Sequence, residues 1–158
     1  MKKIFAVLLS AVLLGACAFG LSACGEDGRL KVRVLQYAEH GSLDNCYEGI
    51  VEGLAERGYT EDKIDITRTN AKGVDTDNST YASSIINQNP AVAVGIATPS
   101  AYALATAAKG DIPVVFTAVS DPTSSSADFS LFGNVTGSSD KLPVASQLKL
   151  ITDFFKAK

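Results

Sequence analysis

Two apolar runs, the second broken only by Thr117, constrain the fold of this chain more than any other feature. They are residues 91–97 (AVAVGIA) and residues 112–119 (IPVVFTAV). A strand that is apolar along its whole length is buried on both faces, which is typical of a parallel sheet covered by helices on each side. The Ala-rich residues 100–109 lie between the two runs and end at Gly110, as expected of a connecting helix.

The same alternation of strand and helix precedes these two runs. Residues 30–37 and 64–69 alternate in hydrophobicity and are predicted strands. Residues 42–57 and 77–88 carry apolar side chains at helical spacing and are predicted helices. The order predicts an α/β fold with a parallel sheet wound by right-handed crossovers.

The pattern changes after Asp121. Residues 122–130 are Ser-rich and predicted to be a loop, residues 131–136 could form a short strand, and residues 137–140 are a predicted connector. Residues 142–155 are a predicted amphipathic helix. A final helix without a following strand is unusual in an alternating fold.

The first residues of the chain resemble an export segment. Lys2 and Lys3 precede an uncharged run over residues 4–23, and Leu21-Ser22-Ala23-Cys24 has the form of a bacterial lipoprotein processing site. We therefore expect a signal peptide over 1–23, a lipidated Cys24 and a flexible tether over 24–29. An uncleaved anchor helix is the alternative, and Cys17 ends a poorer copy of the site. Both alternatives place the body outside the cytoplasm, and lipidation would anchor it to the bacterial cell membrane.

Charge and motifs exclude several classes of function. The chain has 14 basic and 17 acidic residues and no basic run, so nucleic acid is not an expected partner. Nucleotide-binding loops, the Gly-x-Ser-x-Gly elbow and Cys-x-x-Cys are missing from the sequence. An enzyme built around His40 and Cys46 would need these side chains to converge, yet the helical phase turns Cys46 toward the sheet. We expect no catalytic residue, metal, cofactor or internal disulfide.

Ligands of a parallel sheet bind beyond the carboxyl ends of the strands, and three such ends carry polar groups. The first end brings an amide, a phenol and an imidazole together in Gln36, Tyr37 and His40. The alternative is a surface loop in which His40 only caps a helix or packs. Taken alone, these residues favour the surface loop.

The second and third strand ends suggest a site for a zwitterion. Thr98 and Ser100 flank Pro99 at a predicted helix start, with Thr98 as the N-cap, where hydroxyls and free N–H groups can hold a carboxylate. Ser120 and Asp121 follow the next strand, and the Asp121 carboxylate would suit an ammonium group. An ordinary helix start and an Asp-Pro turn are the alternatives.

Five stretches in these regions carry a resemblance to a known family. They are LQYAEHGSLDNCYEGIVEGLAERGY (35–59), NAKG (70–73), IATPSAYALA (96–105), IPVVFTAVSDP (112–122) and GNVTGSSDKLPVASQLKLI (133–151). Together they resemble the substrate-binding lipoproteins of bacterial ABC importers, in the group associated with tryptophan, tyrosine or phenylalanine uptake. The stretches are collinear and cover nearly the whole body.

The resemblance implies a type I periplasmic-binding fold, in which two α/β lobes close on a ligand. Each is a Rossmann-like three-layer lobe with a parallel sheet, and the second lobe would be missing from this sequence. Residues 30–140 would form the first lobe and residues 141–158 the start of a truncated second one. Partners would be an amino acid, an ABC permease and the membrane, through the lipid anchor. A ligand-sensing or signalling lobe not coupled to transport is the alternative. By position, the residues implied to contact the ligand are Gln36, Tyr37, His40, Thr98, Ser100, Ser120 and Asp121.

Overall fold

The computed structural model describes residues 28–155. The strands are β1 (Leu30–Gln36), β2 (Ile64–Asn70), β3 (Val92–Ile96), β4 (Val114–Val119), β5 (Thr123–Ser124), β6 (Ala127–Asp128) and β7 (Val135–Ser139). The helices are α1 (Gly41–Glu56), α2 (Asp75–Asn87), α3 (Thr98–Ala108) and α4 (Val144–Phe155), with one 3₁₀ turn at Phe129–Leu131.

Five strands form one parallel sheet in the order β2-β1-β3-β4-β7, and β5 pairs with β6 in a small antiparallel hairpin. Helices cover both faces of the main sheet, so the predicted α/β architecture is confirmed. Leu35 and Val114 pack against α2 and α3 on one face. Val34 and Ile96 pack under α1 on the other. The side chains of α1 are only partly buried, because this helix covers its face without a neighbouring helix among residues 28–155.

Glycine permits the close approach that sets α3 against the sheet. A Cβ atom at Gly95 of β3 would collide with the backbone of Ala101 in α3. Ala101 and Leu104 are fully buried at this contact. The missing side chain of Gly95 therefore fixes how deeply α3 lies on β3, and with it the position of the first turn of α3.

The region after β4 corrects three sequence predictions. The strand predicted over 131–136 is wrong in position, because β7 runs from Val135 to Ser139 and takes in most of the predicted connector 137–140. The sequence Gly-Ser-Ser has low strand propensity, and parallel pairing with β4 overrides it. The predicted loop 122–130 contains the hairpin and the 3₁₀ turn. Helix α4 begins at Val144, after Pro143, rather than at residue 142.

Parts of the predicted domain organisation lie outside the described residues. The signal peptide 1–23, Cys24 and most of the tether 24–29 belong to this group. Helix α4, within the predicted segment 141–158, is described and has no buried side chain. None of the helices within residues 28–155 is both long and apolar enough to cross a membrane.

Candidate functional site

The carboxyl ends of β1, β3 and β4 lie side by side at one edge of the sheet. Tyr37 N donates to Ile96 O at 3.2 Å, and Ala97 N donates to Thr117 O at 3.0 Å. These hydrogen bonds continue the strand ladder to the last residues before each loop. The three loops singled out from the sequence therefore share one edge, which we call the rim: residues 37–40, 97–98 and 120–122.

Gln36 lies beneath the rim in a closed hydrogen-bond network. Its side chain is fully buried, and Nε2 donates to Ala38 O at 2.8 Å and to Asp44 Oδ1 at 3.0 Å. Arg68 Nη1 donates to Gln36 Oε1 at 3.2 Å and forms an ion pair with Asp44 at 2.9 Å. The Arg68 guanidinium also stacks 4.4 Å above the centre of the Tyr47 ring. In this arrangement Gln36 holds the loop between β1 and α1 in place.

Tyr37 and His40 lie on that loop and have different partners. The Tyr37 hydroxyl lies 2.9 Å from Asp75 Oδ1 and donates to it, with Gly73 O as an alternative acceptor at 3.2 Å. Hydrogen bonding to the Asp75 carboxylate raises the pKa of the Tyr37 phenol above its ordinary value. His40 is the N-cap of α1, since its Nδ1 accepts from Ser42 N at 3.3 Å. The capping role that the sequence left open is therefore observed for His40.

The two hydroxyls at the start of α3 face different environments. Thr98 is half-buried and is the first helical residue, so its prediction as the N-cap is wrong; Ala97 occupies that position at φ 78°. Ser100 is fully buried, and its Oγ donates to Asn78 Oδ1 at 2.7 Å. Asn78 Nδ2 in turn donates to Pro99 O at 3.1 Å. Thr98 is thus open to the surface, while Ser100 joins α3 to α2.

The Asp121 carboxylate accepts hydrogen bonds from within its own turn. Its Oδ1 accepts from Thr123 N at 3.2 Å and from Thr123 Oγ1 at 3.0 Å, and its Oδ2 lies 3.5 Å from Lys141 Nζ. The Thr123 hydrogen bonds, with a smaller contribution from Lys141, lower the pKa of the Asp121 carboxyl. Ser120 is exposed, and its carbonyl oxygen accepts from Ser139 Oγ at 3.2 Å. Asp121 therefore stabilises a turn after β4, which was the alternative to a ligand contact in the sequence analysis.

A cavity of about 540 Å³ opens next to the rim, between α2, α3 and the β5–β6 hairpin. It is lined by Asp75, Asn78, Ser79, Ser83, Thr98, Pro99, Tyr102, Ala103, Thr106, Ala107, Ser126 and Ala127. Thr98 is the one predicted ligand-binding residue in this lining. The volume is in the range of sites for small organic molecules.

Sequence reasoning missed Asp75 and Asn78. Both lie on α2, which follows the edge strand β2 after the turn at residues 71–74. The rule that points to the ends of parallel strands would have included them if the end of β2 had been treated like the other three. Asn78 carried no signal of its own, because its burial depends on how α2 meets α3.

A second cavity of about 250 Å³ lies on the α1 side of the rim, where Ser42, Cys46, Thr117 and Ser138 are among its lining residues. Cys46 packs toward the sheet, as the helical phase predicted. Within residues 28–155, no three His, Cys, Asp or Glu side chains come together as metal ligands would.

Comparison with known proteins relates this geometry to one family. Residues 31–157 match the family described as ABC transporter substrate binding protein. A curated relative, the tyrosine-binding protein of Clostridioides difficile, is 32% identical over 95% of this chain, which spans 48% of that relative. The chain therefore covers about half the length of this relative.

Solved structures give the same relationship. The ABC domain from Streptococcus pneumoniae in complex with L-Trp is 40% identical, with a TM-score of 0.72 over 78% of this chain and 43% of its own. A conserved domain protein of Vibrio cholerae is also 40% identical, with a TM-score of 0.71 over 78% of this chain and 43% of its own. The ligand-free, open structure of a Clostridium difficile substrate-binding protein with adhesive properties is 32% identical, with a TM-score of 0.69 over 79% of this chain and 43% of its own. The match over residues 31–157 and the shared α/β lobe show that this chain belongs to the ABC transporter substrate binding protein family.

Proposed function

We propose that this chain forms the first ligand-binding lobe of an extracytoplasmic protein that delivers an aromatic or related amino acid to an ABC importer. The observation that carries the proposal is the rim, where three strand ends bring polar groups to one edge beside a cavity of about 540 Å³. The ligand class is supported by the relatives named for tyrosine binding and for a complex with L-Trp.

The chemistry of the rim suits an amino acid. Free N–H groups in the first turn of α3 and the Thr98 hydroxyl can hold the ligand carboxylate. Carboxylates beside the rim can hold the ammonium group. An aromatic ring requires apolar cover as well, and a second lobe facing the rim would provide it. The relatives are about twice as long as the matched region, which leaves room for such a lobe.

Export and anchoring complete the proposal. The predicted signal peptide 1–23 and the lipidation of Cys24 would place the lobe outside the cytoplasm, attached to the membrane by the tether 24–29. A lipid anchor restricts a binding protein to the membrane surface, where the permease of an ABC importer is located. No catalytic role is part of the proposal, because the relatives are substrate-binding proteins.

The test is a comparison of ligands by titration. The chain, labelled with ¹⁵N, is titrated with L-tryptophan, L-tyrosine, L-phenylalanine, L-glutamate and L-lysine, and NMR shift changes are mapped onto the rim. A second protein, in which the chain is continued by the remaining half of the Clostridioides difficile relative, is titrated by calorimetry. We expect the aromatic amino acids to bind best and the extended protein to bind them far more tightly.

Two outcomes would count against this function. Preference for L-glutamate or L-lysine in both proteins would contradict the ligand class. Equal affinity of the two proteins for the aromatic amino acids would contradict closure of two lobes around the ligand.

A further inference from the structure

We propose that Asp75, rather than Asp121, is the carboxylate of this lobe that receives the ammonium group of the bound amino acid. The inference rests on the proposed function and assigns one of its contacts. It starts from the position of Asp75, which is the first residue of α2 and lies in the lining of the cavity together with Thr98. A carboxylate and a carboxylate-binding hydroxyl thus line one cavity.

One oxygen of the Asp75 carboxylate is left for a ligand. Tyr37 donates to Oδ1 at 2.9 Å, whereas Oδ2 receives no hydrogen bond from residues 28–155. The hydrogen bond from Tyr37 orients the carboxylate without neutralising its charge. Tyr37, which the sequence predicted as a ligand contact, therefore acts in this arrangement as a positioning residue for Asp75.

The charge of Asp75 is not balanced within the cavity. The rest of its lining is neutral, consisting of hydroxyls, the Asn78 amide, small apolar side chains and the Tyr102 ring. Tyr102 is held edge-on against Phe129 and Phe132, with ring centres 5.8 and 5.7 Å away. A neutral pocket with one carboxylate and one fixed aromatic wall favours an organic cation that also carries apolar surface.

Asp121 offers less to such a cation. Both of its oxygens already have partners, and the Lys141 ammonium lies 3.5 Å from Oδ2. A ligand ammonium would have to displace Lys141 or bind beside a like charge. Asp121 also belongs to the turn at Thr123, so its role in this structure is to hold the chain as it leaves β4.

The test compares two probes that differ in the ammonium group. L-Tryptophan carries it, and indole-3-propionate keeps the ring and the carboxylate but lacks it. Both are titrated by ¹⁵N NMR into the whole chain and into Asp75→Asn, Asp121→Asn and Asp77→Asn. Asp77 is the matched control, an exposed carboxylate two residues along the same helix. Because an exposed charge-assisted hydrogen bond is partly screened, we expect about a tenfold loss of L-tryptophan affinity in Asp75→Asn.

The other results expected are a loss of less than about threefold in Asp121→Asn and Asp77→Asn, as for exposed charges without direct contact. Indole-3-propionate should bind Asp75→Asn as it binds the wild-type chain. Asp75→Ser, which keeps a hydroxyl to accept from Tyr37, serves as a second variant should the amide destabilise the start of α2. The melting temperature of each variant is measured alongside.

Three results would overturn the inference. An equal loss for both probes in Asp75→Asn and Asp75→Ser would make Asp75 a structural residue. A selective loss of L-tryptophan in Asp121→Asn would assign the ammonium contact to Asp121 and leave the proposed function standing. If the wild-type chain bound neither L-tryptophan nor any other amino acid, the proposed function would fail and the inference with it.

Discussion

Ser100 and Asn78 form a buried hydrogen bond that joins α3 to α2 beside the cavity. The Ser100 hydroxyl donates to Asn78 Oδ1 at 2.7 Å, and the two residues are 0% and 3% exposed. Asn78 also donates to Pro99 O, so its amide links the first turn of α3 to the fourth residue of α2. The pair fixes the spacing of the two helices that line the cavity.

Replacement of Ser100 by Ala is expected to lower stability. It leaves the buried Asn78 Oδ1 without its donor, which costs about 1–3 kcal/mol of unfolding free energy. Ser83→Ala is the matched control, since the Ser83 hydroxyl is exposed and donates only to Ser79 O within α2. Urea denaturation measures both. Unchanged stability of Ser100→Ala combined with weaker amino-acid binding would instead place Ser100 on the ligand, as the family resemblance implies.

Removal of the Asp65 carboxylate should be costly because it leaves the buried charge of Arg33 underpaired. Arg33 Nη2 lies 2.6 Å from Asp65 Oδ2, and Arg33 Nε donates to Gln88 Oε1 at 2.8 Å. Breaking a buried pair costs about 3–5 kcal/mol, and the partial exposure of Asp65 reduces this to roughly 2 kcal/mol for Asp65→Ala.

The control for this prediction is Asp153→Ala, which breaks the exposed Lys149–Asp153 pair of α4 at 2.7 Å. Exposed pairs of this spacing contribute about 0.3–0.5 kcal/mol. The two variants are compared by urea denaturation at one ionic strength. Similar losses in both would show that Arg33 is well solvated despite its burial.

The turn after β4 should weaken in acid. Folding lowers the pKa of Asp121, so its carboxylate contributes stability at pH values above its ordinary pKa. That contribution is lost as the pH falls through the lowered pKa of the folded state. The difference in urea midpoint between wild type and Asp121→Asn is therefore expected to be constant from neutral pH down to about pH 5 and to shrink below about pH 4.

Thr123→Val tests the hydrogen bonds of the same turn in a second way. It removes the hydroxyl donor to Asp121 Oδ1 but keeps the backbone N–H donor. The pKa of Asp121, followed by NMR of its carboxyl carbon, should rise toward its ordinary value. An unchanged Asp121 pKa in this variant would contradict the assignment of the hydroxyl as one of its causes.

Cys24→Ser is expected to abolish lipidation of the protein. A serine cannot accept the thioether-linked lipid, so the lipid would not be attached. Incorporation of an alkyne fatty acid measures the change. Cys17→Ser is the control, because it alters the poorer copy of the processing site. Loss of lipid label in Cys17→Ser alone would move the anchor to Cys17.

The strands and their parallel pairing could be predicted from the sequence. The runs at 91–97 and 112–119 became β3 and β4, although β4 is buried on one face and only half-buried on the other, so its predicted burial on both faces is wrong. Parallel pairing of β1, β3 and β4 brought the loops at Tyr37, Ala97 and Ser120 to one edge. These features follow from local hydrophobicity, which a single sequence shows, and from the geometry common to all parallel sheets.

Other features depend on how elements meet, and no local pattern reports them. β7 contains Gly137, Ser138 and Ser139 and is a strand only because it pairs with β4. Ser100 is a hydroxyl at a helix start, and its burial results from the contact of α3 with α2. Asp75 is separated from the end of β2 by a four-residue turn, and its proximity to Tyr37 appears only when the chain is folded.

Gly95 and Gly49 should respond to alanine in opposite directions. A Cβ atom at Gly95 would collide with the Ala101 backbone, whereas one at Gly49, on the exposed side of α1, would meet no atom within 4 Å. We expect Gly95→Ala to destabilise by about 1–3 kcal/mol through overpacking, and to weaken amino-acid binding as α3 shifts away from the sheet. Gly49→Ala should stabilise by about 0.5–1 kcal/mol, because alanine loses less backbone entropy in a helix. Both values come from urea denaturation, and a stable Gly95→Ala would mean that α3 can move off β3 at little cost.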